Sequence, residues 1–259
     1  MPLDEYRAKR DFTKSPEPAG AARPRARSGK RFFCVQKHLA TQLHYDFRLE
    51  HDGVLLSWAV PKGPSLNPAD KRFAALVEDH PLEYGDFEGV IPEGYGAGVV
   101  MLWDRGTWEP EVEDVGAALQ KGDLKLRLDG YKLKGSWALV RTRGWGGRSR
   151  SPGAAPRDDG RSWLLIKHRD EWSGELDIAE FAPLSVKSGG DFEDILTADL
   201  PSFWTGNRAA ARTTSLEASL AEIVAKVEKL QGRPIGAAPP EASTGRRRTR
   251  ASARDERSR

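Results

Sequence analysis

Eight residues, LHYDFRLE from Leu43 to Glu50, alternate between apolar and chemically active side chains. A β-strand sends successive side chains to opposite faces. One face then carries Leu43, Tyr45, Phe47 and Leu49, a good core face. The other carries His44, Asp46, Arg48 and Glu50, which is costly to bury unless something binds there. A His and an Asp two apart on a strand can ligate one divalent cation, and the Arg that follows can clamp a phosphate through two N–H groups. His38 lies six residues before His44 and can reach the same place from a preceding loop or strand end. Two His and one Asp suit Mn²⁺, Zn²⁺ or Fe²⁺ without choosing among them. The competing reading of the octet is a half-buried strand with a solvated polar face.

Two further segments offer groups of the right kind. In VEDHPLEYGDFEG (77–89), the chain leaves a strand and enters a turn. His80 there can protonate a leaving oxygen or stabilise developing charge, and Tyr84 can hydrogen-bond a phosphate oxygen. A turn histidine with a tyrosine packed on the fold is the alternative. In AVPKGPSLNP (59–68), Pro and Gly shape a rigid turn that presents Lys62, with Arg72 shortly after. Both are candidate phosphate contacts or ordinary solvated cations. His51, before an Asp-Gly turn, is expected at the solvent, and His168 is given no role.

The elements that must position these groups are mainly strands. From Arg31 to about Asp104, short apolar runs alternate with turn signals such as HDG and YGAG. A second β segment covers 123–143, with a turn expected at Asp129-Gly130, and SWLLIKH (162–168) is a further strand. DVGAALQKG suits one short helix. Residues 15–30 suit an extended arm, and 146–161 a surface loop. Leu216, Leu220, Ile223, Val224, Val227 and Leu230 fall on one helical face, with Thr214 and Glu217 as a capping box and Gly232 as the stop. The expected organisation is an arm over 1–30, a body over 31–185, an extension with an amphipathic helix over 186–232, and a basic disordered tail over 233–259.

Composition sets the surroundings. A chain of 259 residues with 38% apolar and 31% charged residues can bury a real core. No run approaches a membrane span, and the charged N-terminus lacks the apolar stretch of a secretory signal. A single cysteine, Cys34, allows no internal disulfide and fits a reducing cytoplasm; inside FFCV it reads as a small buried apolar group. The net charge of +3 hides an asymmetry: residues 1–37 carry ten Lys and Arg against four Asp and Glu, residues 232–259 eight against three. Basic ends around an acidic middle suit a polyanionic partner such as nucleic acid, or solvated tails.

The string QKHLATQLHYDFRLEHDGVLLSWAVPKGPSLNP, then VEDHPLEYGDFEG and IPEGYGAG, resembles the 3′-phosphoesterase domain of bacterial DNA ligase D, and YRAKRDFTKSPEP resembles that family's entry segment. The resemblance covers about residues 4–185. It implies a mainly β fold, a compact antiparallel β-barrel with a few short helices and a crescent-shaped active site. It implies a Mn²⁺-dependent enzyme acting on DNA or DNA/RNA primer-template 3′ ends in non-homologous end joining. One activity removes a terminal ribonucleoside and leaves a 3′-phosphate; the other removes that phosphate. By motif position, His38, His44 and Asp46 would be metal ligands, and Arg48, His80 and Tyr84 would complete the catalytic set. Arg10, Asp11 and Glu17 would come from an arm folded over the site, and Gln36, Lys62, Arg72 and Glu78 match positions near it. The chain departs from the family's IP-x-G-x-Y-G loop, because Gly94 is followed directly by Tyr95. A chain of this length has no room for ligase or polymerase domains, so a free-standing monomer, with a separate ligase, polymerase or end-binding protein as partner, is expected.

Two other classes compete. A β-barrel Fe(II) oxygenase would use His44 and Asp46 with a distant His80. A non-catalytic DNA-end adaptor would bind DNA in a salt-sensitive way without cleaving it.

Overall fold

The computed structural model describes residues 3–20, 30–142, 160–204 and 213–237. Nine strands carry the architecture: β1 (Arg31–Leu39), β2 (Leu43–His51), β3 (Val54–Val60), β4 (Lys71–Leu76), β5 (Gly89–Ile91), β6 (Gly98–Pro110), β7 (Asp123–Gly130), β8 (Lys134–Arg141) and β9 (Ser162–Lys167). They hydrogen-bond in the order β1-β2-β3-β4-β9-β8-β7-β6, and β6 pairs back onto β1. Eight antiparallel strands thus close into a barrel, which removes free sheet edges. β5 adds to the N-terminal part of β6, while β7 takes its C-terminal part.

The strand octet sets the barrel's two faces. Phe33 and Val35 of β1, Phe47 and Leu49 of β2, and Trp58 and Val60 of β3 all point into one core with Trp103, Trp108, Trp137 and Leu165. Each such side chain removed from water contributes roughly 1.5–3 kcal/mol. The intervening residues face outward on three adjacent strands. The β2–β3 register that fixes this parity comes from a two-residue turn, Asp52-Gly53, with φ of 48° and 81°. Positive φ at both positions matches the twist of a tight hairpin and suits Asp-Gly.

Helices cover what the strands leave open. α1 (Asp4–Ala8) lies in the N-terminal arm and buries Tyr6. Tyr6 joins Leu3, Leu55 and Tyr84 in a second apolar cluster, distinct from the barrel interior. α2 (Val115–Lys121) is capped by the Asp114 carboxylate, which accepts from Ala117 N, and by Gly122 in the left-handed region. α3 (Ile178–Phe181) is a single turn. α4 (Phe192–Trp204) and α5 (Thr213–Gln231) bring Ile195, Leu196, Leu220, Ile223 and Val227 into the main core. No described helix is long and apolar enough to cross a membrane.

Several expectations shift. Gly130 stays in β7, paired with Gly106, and the chain turns at Tyr131–Leu133 instead, where Asp104 accepts from the Lys132 and Leu133 N–H groups. α5 starts at Thr213, so Thr214 lies inside its first turn and not at its cap. Leu230 is exposed, although Gly232 does end the helix at φ 70°. His51 is half-buried and not at the solvent, its Nε2 3.3 Å from Asp52 Oδ2. The expected loop at 146–161 falls almost wholly, and the tail after 237 wholly, outside the described residues. Cys34 is buried, and burial pushes its thiol up to about 12, the inert state expected of it.

Candidate metal and phosphate site

The outward faces of β1, β2 and β3 assemble the site. Antiparallel register sets His38 opposite His44, Gln36 opposite Asp46, and Ser57 opposite Arg48. His38, His44 and Asp46 each offer a ligand atom, and these atoms lie within 4.8 Å of one another. His38 Nδ1 is 3.5 Å from Asp46 Oδ2, and His44 Nε2 is 3.7 Å from Asp46 Oδ1.

The other nitrogen of each ring shows whether a cation fits. His38 Nε2 donates to the Gly96 carbonyl at 2.9 Å, and His44 Nδ1 to the Gln42 carbonyl at 3.0 Å. A neutral imidazole that donates from one nitrogen bears its lone pair on the other. Two lone pairs and a carboxylate therefore converge, and backbone carbonyls orient both rings as they do in metal-ligating histidines. This cluster can hold a metal ion.

Arg48 anchors the carboxylate. It is 2% exposed. It donates from Nη2 to Asp46 at 3.0 Å, from Nε to Gln36 Oε1 at 2.7 Å and from Nη1 to Ser57 Oγ at 2.8 Å. Gln36 in turn donates to the Tyr84 and Phe87 carbonyls. Burial alone would raise the Asp46 carboxyl, but the Arg48 guanidinium opposes it and the group is held well below the usual carboxylate range. Three of the five guanidinium N–H groups are engaged inside the protein, which leaves two for a ligand. Glu50, the last residue of the polar face, accepts from Phe32 N at 2.8 Å.

The arm closes over this face. Arg10 donates from Nε to Glu17 at 2.8 Å, from Nη1 to Glu78 at 3.0 Å, and from Nη2 to His80 Nε2 at 3.2 Å. Glu78 also holds Lys9 at 3.0 Å. Tyr84 stacks edge-on to His80 at 4.8 Å and lies 4.9 Å beneath the Arg48 guanidinium. Arg10, Glu17, His38, His44, Asp46, Arg48, Glu78, His80 and Tyr84 all line one cavity of about 140 Å³. Its lining sets two cations, Arg10 and Arg48, against three carboxylates, Glu17, Asp46 and Glu78. A divalent cation added to that balance gives a net positive site suited to a phosphate.

Four sequence candidates do not line this cavity. Asp11 is exposed and caps its own turn, accepting from Thr13 N at 3.0 Å; it lines an adjoining cavity. Gln36 lies behind Arg48. Lys62 is exposed on the turn after β3. Arg72 has the parity of Ala74, the core face of β4, and pairs with Asp70 at 3.0 Å. His80 does not join the ligand cluster: its Nε2 accepts from Arg10, so an iron triad built on His80 is not the set the fold assembles. Ser57, Lys9, Tyr95 and the Gly96 carbonyl are site groups the sequence motifs passed over.

Fold and site define a β-barrel protein with a metal-compatible His–His–Asp cluster beside a buried arginine. Residues 36–141 match the DNA ligase D 3′-phosphoesterase domain, and the chain belongs to that family through them. Its relatives include the multifunctional non-homologous end joining protein LigD of Pseudomonas aeruginosa, 52% identical over 177 residues, which is 68% of this chain and 20% of that protein. The multifunctional non-homologous end joining DNA repair protein LigD of Mycobacterium tuberculosis is 47% identical over 145 residues, 55% of this chain and 18% of that protein. The Mycolicibacterium smegmatis protein LigD is 37% identical over 193 residues, 72% and 23% of the two chains. The aligned part is about a fifth of these relatives' own length.

Proposed function

We propose that this protein is a metal-dependent phosphoesterase that heals DNA 3′ ends in break repair. It removes a 3′-terminal ribonucleoside to leave a 3′-phosphate, then removes the phosphate to leave a 3′-hydroxyl. The observation that carries this reading is the gathering of His38, His44 and Asp46 with Arg10 and Arg48 around one cavity. Membership of the 3′-phosphoesterase family supports it.

His38 Nδ1, His44 Nε2 and the Asp46 carboxylate would hold the ion, taken to be Mn²⁺, which supplies Lewis acidity and charge neutralisation at a phosphate oxygen. Arg48 turns its two remaining N–H groups to the phosphate and holds Asp46 ionised. His80 is neutral, because burial, Arg48 and Arg10 all depress its pKa well below 6.5, and it carries its lone pair on Nε2. Its role is therefore to accept a hydrogen bond at that atom, as it does from Arg10, and not to deliver a proton. Tyr84, with burial holding its hydroxyl protonated, donates to a phosphate oxygen. Arg10 closes the arm and shields the cavity from water.

The test uses a primer-template whose labelled strand ends in one ribonucleotide. It is incubated with EDTA, Mn²⁺, Mg²⁺ or Zn²⁺ and the products are resolved on a sequencing gel. Conversion to a 3′-phosphate and then a 3′-hydroxyl, with a metal and not with EDTA, is the expected result. Absence of cleavage with every metal, alongside retained DNA binding, would make the protein an end-binding adaptor.

A further inference from the structure

Tyr95 stands in the wall of the cavity that holds Asp46 and Arg48, yet it is 52% exposed. Gly94 and Gly96 flank it with φ of 91° and 81°, left-handed positions that set the direction in which the ring is presented. The loop is tied at its base, since the Gly96 carbonyl accepts from His38. Lys9 Nζ lies 5.1 Å from the ring centre and Arg10 Cζ 5.6 Å. Among the described residues no aromatic ring packs against it. The same ring also lines a second cavity of about 180 Å³, with Lys9 and Lys14.

We propose that Tyr95 is the platform on which the base of the processed nucleotide stacks, and so a positioning residue for the 3′ end. This rests on the phosphoesterase reading above. A phosphate seated beside Asp46 and Arg48 brings its own sugar and base with it, and the base stands within one nucleotide of the phosphate. The wall of that cavity presents one half-exposed aromatic face, with cations beside it to meet the neighbouring backbone. Stacking on an aromatic face accepts every base. That tolerance is what an enzyme needs when it meets break ends of arbitrary sequence. The alternative role for the ring is to latch the arm through Lys9 and Arg10.

The two roles separate in one experiment. The full-length protein, with Tyr95→Ala and Tyr95→Phe variants, is given a Mn²⁺-supplemented primer-template with a 3′-phosphate. The terminal nucleotide carries either a base or an abasic sugar. The readout is the ratio of kcat/KM between the two ends. In Tyr95→Ala this preference for the base-bearing end is expected to fall by roughly ten-fold, mainly through KM, and Tyr95→Phe restores it. An equal loss on both ends assigns Tyr95 to the latch and overturns the proposal, as does no loss on either. A second measurement does not depend on turnover. With 2-aminopurine as the terminal base, binding to the native protein or Tyr95→Phe quenches its fluorescence, and binding to Tyr95→Ala does not. Absence of quenching in the native protein refutes stacking. Quenching without turnover refutes the phosphoesterase activity and leaves the stacking platform standing.

Discussion

Arg10 in the N-terminal arm and His80 in the turn after β4 face each other at 3.2 Å, Nη2 to Nε2, across 70 positions of sequence. A guanidinium only donates, so His80 accepts at Nε2 and donates from Nδ1 to the Glu78 carbonyl at 2.9 Å. One contact thus fixes a tautomer and a closed arm together.

Arg10→Ala is expected to open the arm. The change leaves Glu17 buried with its Oε1 partner gone and removes one partner of Glu78. Breaking buried pairs of this kind costs roughly 3–5 kcal/mol. Hydrogen exchange should rise sharply over residues 3–20 while the barrel strands keep their protection. Unchanged exchange in the arm would show that the Tyr6 cluster alone holds it.

Metal affinity should separate ligands from neighbours. His38→Ala, His44→Ala and Asp46→Ala are each expected to weaken Mn²⁺ binding by roughly a hundred-fold or more in a calorimetric titration, since even an outer partner costs ten- to hundred-fold. His80→Ala should stay within a few-fold of the native protein. Strong loss in His80→Ala would return that residue to the ligand set.

Much of this site was legible in the octet from Leu43 to Glu50, because a strand with one buried face assigns every other residue to the opposite face. The structure places Leu49 inside and Arg48 outside on that rule. Ser57 was legible in principle. A two-residue turn at Asp52-Gly53 sets 51 opposite 54, hence 48 opposite 57. Nothing in LLSWAV marks the serine without that count. The facing of Arg72 was not legible, because a lone cation carries no parity until its strand's pairing is known; opposite Leu165, it has the parity of the core face. The cation contacts of Tyr95 depend on a fold that brings residues 9 and 95 together, and no local pattern records that approach.

Gln36→Leu should destabilise more than its size suggests. It removes the acceptor for Arg48 Nε and the donor to the Tyr84 and Phe87 carbonyls. Each buried group left unsatisfied costs roughly 1–3 kcal/mol. Urea unfolding should show a loss of about 3 kcal/mol or more. A loss below about 1 kcal/mol would mean that water replaces the amide.

Asp104 gives a pH dependence of defined sign. Burial raises its carboxyl from 3.8 to about 6 against the pull of the Leu133, Lys132 and Arg105 N–H groups. The native state then binds more protons than the unfolded chain between those values. Its contribution is full below pH 3.8 and is lost as pH rises through about 6. Asp104→Asn lacks this titration. The stability of the native protein relative to the variant should fall by up to roughly 3 kcal/mol from pH 4 to pH 7. A constant difference across that range would exclude it.

The barrel's two-faced strands also decide where length changes are tolerated. β1 and β2 alternate residue by residue between the hydrocarbon interior and the ligand-bearing outer face. Inserting or deleting one residue within β2 would exchange the sets beyond the change, turning Asp46 and Arg48 inward and Phe47 and Leu49 outward; within β1 it would do the same to Gln36 and His38 against Phe33 and Val35. No compensating substitution at a single position repairs such a swap. The residue count within each strand, between its core-facing and its ligand-bearing side chains, is therefore fixed in a way that the identity of any one side chain is not.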